Sequence, residues 1–102
     1  MINRLAIIGM GLIGGSLSLA LKQAGRVKHV VGFSRQASTR SEALSLGIID
    51  SAECNIADAI KNAEIVVLAV PVGAIADTLI SIAPYVKDNM IITDVGSVKA
   101  QV

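Results

Sequence analysis

The segment Gly9-Met10-Gly11-Leu12-Ile13-Gly14 spaces three glycines as G-x-G-x-x-G, and the chemistry that such a spacing serves is anion binding by the backbone. A glycine at position 9 permits a tight turn, at position 11 it leaves room for a pyrophosphate to approach the chain, and at position 14 it lets a helix pack closely on a strand. Unpaired backbone donors near Leu12 and Ile13, at the positive end of a helix dipole, would then face phosphate groups. Three glycines also make an ordinary turn in an apolar chain. The pattern acquires meaning only where a strand precedes it and a helix follows.

A second group of candidate residues lies twenty positions beyond Gly14. A carboxylate at that distance accepts the ribose hydroxyls of NAD, but the chain there reads Val31-Gly32-Phe33-Ser34-Arg35. A serine followed by a guanidinium suits a 2′-phosphate instead, since arginine bonds two phosphate oxygens at once and stacks on adenine. Ser38 and Thr39 add hydroxyl and backbone donors at the start of the next helix. The competing reading makes Arg35 and Arg40 solvated charges at a helix start. The joint loss of the acid and gain of the base at the ribose-reading position favours NADP.

The elements that must position these residues are visible as short apolar runs alternating with longer amphipathic ones, the signature of βαβ units. Leu5 to Gly9 reads as a buried strand. A helix from about Leu12 to Ala24 follows, with Leu17, Ala20, Leu21 and Ala24 on one face, and Gly25 ends it. Val30, Val31 and Phe33 make a second strand, and Ala37 to Leu46 a helix closed by Gly47. Ile48 and Ile49 begin a poorly defined third strand. Ile56 to Ala63 is a short helix, and Ile65 to Val70 a fourth strand. Pro71 opens a helix reaching Ala83, Met90 to Thr93 is a fifth strand, and residues 94–97 turn away from it. The expected fold is an α/β, Rossmann-type, doubly wound parallel sheet of five strands in the order 3-2-1-4-5, occupying residues 1–102 as one dinucleotide-binding domain.

Composition removes several other classes. With 102 residues, 53% of them apolar and 17% charged, the chain is too apolar for disorder and long enough for one small core. A formal charge of +1, without blocks of either sign, leaves no footprint for nucleic acid or an acidic membrane surface. Cys54 and His29 are the sole residues of their types, so neither a disulfide nor a protein-built zinc site is expected, and a reducing, cytoplasmic setting is. The uncharged run Leu5 to Leu21 resembles a membrane segment, but it is shorter than the roughly 20 residues of a span and is interrupted by Gly9, Gly11, Gly14 and Gly15.

Three segments together carry a family resemblance. Gly9 to Leu17 (Gly-Met-Gly-Leu-Ile-Gly-Gly-Ser-Leu), Ala69-Val70-Pro71-Val72 and Thr93-Asp94-Val95-Gly96-Ser97-Val98-Lys99 resemble the prephenate and arogenate dehydrogenases of tyrosine biosynthesis. The first motif is shared with the wider 6-phosphogluconate-dehydrogenase-like group. Gly32-Phe33-Ser34-Arg35-Gln36 is similar to the NADP-preferring arogenate branch, whose NAD-using relatives carry Asp at the position of Ser34. The resemblance implies oxidative decarboxylation of a cyclohexadienyl acid, prephenate or arogenate, with hydride transfer to NADP. It further implies that Val70 and Pro71 line the cofactor and that Ser97 hydrogen-bonds near the substrate hydroxyl. Ser97 equally suits capping of a following helix, and Pro71 helix opening. The family's catalytic histidine, in a His-Pro motif, its substrate-gripping arginine and its helical dimerisation domain belong downstream of these residues, so the chain is expected to be a cofactor-holding part of a homodimeric enzyme. His29 precedes the second strand and reads as a surface residue; Cys54 and Tyr85 read as core or helix-end packing. The alternative function is a stand-alone NAD(P)-binding module without turnover, or another dehydrogenase of the wider group.

Overall fold

The computed structural model describes residues 2–9 and 12–94. Strand and helix alternate through them: β1 (Ile2–Ile8), α1 (Leu12–Gln23), β2 (Val27–Phe33), α2 (Ala37–Ser45), β3 (Ser51–Glu53), α3 (Ile56–Ile60), β4 (Ile65–Leu68), α4 (Ile75–Ile82) and β5 (Ile91–Asp94). Short 3-10 turns at Val72–Ala74 and Ala83–Tyr85 flank α4. Every strand pairing is parallel and the order is β3-β2-β1-β4-β5, as the alternation of runs predicts. The Leu5 to Leu21 run is thereby divided between a strand that ends at Ile8 and a helix that begins at Leu12. No helix among the described residues is long and apolar enough to cross a membrane.

Alternation along the strands sends side chains to opposite faces of the sheet. Leu5 and Ile7 of β1 join Val30 of β2 and Val67 of β4 on one face, against Leu17 and Leu21 of α1 and Ala43 of α2. Ala6 and Ile8 join Val31, Val66 and Leu68 on the other, against Ala59 and Ile60 of α3 and Ile82 of α4. Helices therefore cover both faces, which is why the central strands read as unbroken apolar runs.

Boundaries differ from expectation where side chains are not what holds the backbone. β1 begins at Ile2 and β2 at Val27, and the extra length pairs Ile2 with Val27 and Arg4 with His29. Asn3 and Lys28 are exposed there, so the ladder is extended by polar residues that an apolar-run criterion passes over. β3 is Ser51–Glu53 rather than a strand starting at Ile48; Ile49 is buried, but in the connection that feeds it. α3 stops at Ile60 because Asn62 turns to φ 64° and the Ala63 amide returns to the Ile60 carbonyl at 3.0 Å. Asparagine is among the few residues that tolerate that region. Pro71 precedes a 3-10 turn instead of opening α4 directly, its carbonyl accepting from the Ala74 amide at 2.8 Å.

The C-terminal ends of α1 and α2 follow the glycine signals read from the sequence. α1 closes with Arg26 N–H donating to the Leu21 carbonyl and Gly25 N–H to that of Lys22, at 3.0 and 3.1 Å, the paired bonds of a left-handed C-terminal cap. α2 closes the same way through Ile48 to Ala43 and Gly47 to Leu44. Two polar ties fasten α1 to the strand layer. The buried Ser18 hydroxyl donates to the Ile48 carbonyl, and Lys22 Nζ donates to Asp50 Oδ1 at 2.6 Å while Asp50 Oδ2 accepts from the Val30 amide at 2.8 Å. Burial by itself would raise the Asp50 pKa. The bonds from Lys22 and Val30, with the charges of Lys22 and His29, outweigh it and hold the carboxyl below the ordinary aspartate value.

Candidate functional site

In an open parallel sheet, ligands bind beyond the carboxyl ends of the strands, where the connections from neighbouring strands run to opposite sides. That point lies here between β1 and β4. A cavity of about 330 Å³ opens there, lined by Ile8 and Gly9 at the end of β1, Phe33, Ser34 and Arg35 at the end of β2, and Val70 beyond β4. Ile56 of α3 contributes to it, and Ala74 with Asp77, Thr78 and Ser81 of α4 completes the wall.

Gly9 fixes the floor. Its φ is +88°, and a Cβ at this position would stand 2.8 Å from the Ala69 carbonyl oxygen and 2.9 Å from Val70 Cγ1. The turn after β1 thus requires glycine both for its backbone angle and for its closeness to the end of β4. The Gly9 amide donates to the Phe33 carbonyl at 3.1 Å, and the Ala69 amide to the Ile8 carbonyl at 2.8 Å. These bonds hold the ends of β1, β2 and β4 together. α1 begins at Leu12, so Leu12, Ile13 and Gly14 form its first turn, where amides lack intrahelical acceptors.

The loop from β2 to α2 is tied by its own residues. The Gln36 amide donates to Ser34 Oγ at 3.2 Å, Thr39 Oγ1 donates to Gln36 Oε1 at 3.1 Å, and Arg40 Nη1 donates to the Ser34 carbonyl at 2.7 Å. Gln36 stands at the N-cap of α2 and makes no side-chain bond to the helix amides. Arg35 is exposed on the cavity rim.

Of the residues singled out from the sequence, Gly9, Ser34, Arg35 and Val70 meet at one cavity. Ser38 and Thr39 lie in the first turn of α2 and Pro71 beside Val70, outside the lining. Gly11 and Ser97 lie outside the described residues.

A family model described as prephenate dehydrogenase, nucleotide-binding domain, matches residues 17–102. The chain belongs to that family. The match begins after the glycine run, so it is carried by residues other than those that first indicated a dinucleotide. The chain is similar to the prephenate dehydrogenase of Lactococcus lactis, 36% identical over 98% of this chain and 28% of that protein. It is also similar to the cyclohexadienyl dehydrogenase of Zymomonas mobilis, 37% identical over 98% of this chain and 34% of that protein. The solved arogenate dehydrogenase of Synechocystis superposes with a TM-score of 0.82 at 32% identity, over 89% of this chain and 32% of its own. The chain thus spans about a third of the length of the relatives it matches.

Within this prephenate dehydrogenase family domain, sequence reasoning missed the α4 wall. Ala74, Asp77, Thr78 and Ser81 recur at i, i+3, i+4, i+7, the spacing of one helix face, and that polar-leaning stripe after the Val70-Pro71 turn was the available signal. Three minor expectations are corrected. His29 sits inside β2, half-buried, with Nε2 2.9 Å from Ser51 Oγ, rather than preceding the strand as a surface residue. It does lie toward the end of β2 remote from Ser34. Cys54 is exposed rather than packed. Tyr85 ends the 3-10 turn after α4 with 46% of its surface exposed.

Proposed function

We propose that residues 1–102 are the dinucleotide-binding domain of an NADP-dependent dehydrogenase that oxidatively decarboxylates prephenate or arogenate. The observation that carries this reading is the meeting of Gly9, Ser34, Arg35 and Val70 at one cavity on the carboxyl ends of β1, β2 and β4. The residues fit a dinucleotide, since the cavity at the strand ends carries a hydroxyl at Ser34 and a guanidinium at Arg35 on its lining, donors suited to phosphate. When bound, NADP supplies the hydride acceptor, and loss of carbon dioxide with aromatisation of the substrate ring drives the reaction.

This chain's residues bind and orient. The first-turn amides of α1 at Leu12 and Ile13 would hold the pyrophosphate. Ser34 Oγ already accepts from the Gln36 amide, so its proton is directed to another acceptor, for which a 2′-phosphate oxygen is suited. Arg35 would pair with that phosphate and stack on the adenine, Ser38 and Thr39 would offer donors at the start of α2, and Val70 and Pro71 would bound the cofactor on the β4 side. Ser97, on the family resemblance, would act near the substrate hydroxyl. The catalytic histidine and the dimerising helical domain belong to the remainder of the parent protein, which works as a cytoplasmic homodimer.

Asp77 favours a second reading. It is a carboxylate in the same cavity, and a carboxylate accepting ribose hydroxyls is what NAD requires. Titration of the full-length protein with NADPH and NADH decides between them. NADPH is expected to bind roughly tenfold or more tightly, the worth of one or two charge-assisted bonds to phosphate, and Arg35→Ala to remove most of the difference. Equal affinities, or a preference for NADH, refute the NADP assignment. Assays with prephenate and arogenate, each with both cofactors, identify the substrate.

A further inference from the structure

We propose that Arg40 is a positioning residue for cofactor choice, acting by fixing the Ser34 carbonyl and through it the loop that carries Ser34 and Arg35. The inference rests on the NADP reading above. Arg40 is the fourth residue of α2 and reaches back six positions to the end of β2, where Nη1 stands 2.7 Å from the Ser34 carbonyl oxygen in a partly buried setting. That carbonyl directly follows Phe33, whose own oxygen is engaged by the Gly9 amide, so the chain at the cavity rim is fixed on both sides of Ser34. A carbonyl pointing at a bound phosphate would repel it. Arg40 draws this one toward the helix and offsets its negative end with a guanidinium, whose hydrogen bonds are of the stronger, charge-assisted kind. With the carbonyl so turned, the Gln36 amide closes onto Ser34 Oγ at 3.2 Å, leaving the hydroxyl proton for an outside acceptor. Arg35 follows Ser34 on the same loop and lines the cavity.

The test is a double-mutant cycle on the full-length protein, reading dissociation constants for NADPH and NADH by fluorescence titration. Arg40→Met should reduce the NADPH preference by about five- to tenfold, as expected for one lost charge-assisted bond, chiefly by weakening NADPH. Arg40→Lys, which keeps the positive charge on a side chain one atom shorter, should restore part of it. In an Arg35→Ala background, Arg40→Met should change the ratio by less than about twofold, because residues acting as one unit are not additive. Equal weakening of both cofactors would show a merely structural residue, and full additivity an independent phosphate contact; either overturns the inference, as does an unchanged ratio. A wild-type protein without NADPH preference would overturn the NADP reading and this inference with it. A wild-type preference that Arg40→Met leaves intact removes only the inference.

Discussion

Replacing Gly9 by alanine separates two costs that the turn after β1 combines. Backbone at φ +88° is unfavourable for an L side chain by about 1–2 kcal/mol. The added methyl would also lie 2.8 Å from the Ala69 carbonyl oxygen, a backbone atom held by the neighbouring Ala69 amide's bond to Ile8, and overpacking of this kind costs about 1–3 kcal/mol. Together they amount to roughly 2–5 kcal/mol, a large share of the 5–15 kcal/mol typical of a folded domain. Two other glycines calibrate the result. Gly25 has φ +68° and nothing within 4 Å of where a methyl would stand, so Gly25→Ala should cost only the backbone share, about 1–2 kcal/mol. Gly73 has neither a positive φ nor a neighbour within 4 Å, and Gly73→Ala should be neutral or stabilise by up to about 1 kcal/mol. Urea unfolding of the three variants beside the parent measures the series. For a domain of this size Gly9→Ala should lower Tm by roughly 10 °C or more. A Gly9→Ala midpoint equal to that of Gly25→Ala would mean that the end of β4 yields to the methyl, and the tight coupling of β1 to β4 would be refuted.

Folding lowers the Asp50 pKa, so its contribution is complete above the ordinary aspartate value near ~3.9 and fades as pH falls through the lower folded value. Asp50→Asn should therefore be less stable than the parent by about 1 kcal/mol at neutral pH, discounted for its partial exposure, and the gap should narrow as pH falls below the ordinary aspartate value in urea midpoints taken across the acid range. On α4, Ile82 is 0% exposed and Ile80 is 72% exposed. Ile82→Ala should cost about 2–5 kcal/mol and Ile80→Ala no more than about 0.5 kcal/mol; similar unfolding midpoints for the two would contradict the packing of α4 on the sheet.

The central fold was legible because its signal and its cause coincide. Leu5 to Ile8 and Ile65 to Leu68 are apolar for the reason that both faces of β1 and β4 are covered, so the run marks the strand. Where backbone pairing alone makes the strand, the signal fails. Ser51-Ala52-Glu53 is a strand through its register with Val31, Gly32 and Phe33, and nothing in those three side chains announces it. The same holds for Asn3, Lys28 and His29. At the site, Gly9, Ser34, Arg35 and Val70 were legible because each ends a strand or begins the next element, positions that local motifs fix. Asp77, Thr78 and Ser81 reach the cavity only through the packing of α4 beside α3 and the sheet, a tertiary relation. Arg40 was visible as a charge, but its bond to the Ser34 carbonyl depends on how the loop folds back on the helix.

The loop between β2 and α2 has a consequence for engineering. Among the described residues, its side-chain bonds begin and end between Ser34 and Arg40, and the buried layers of the sheet supply no side-chain partner to them. Such a segment behaves as a cassette. Its seven residues could be exchanged as a block, leaving the glycine floor and both apolar layers intact, so a change of cofactor preference need not be traded against stability. Substituted one at a time, the same residues would break each other's support, and single-site attempts would understate what the block achieves.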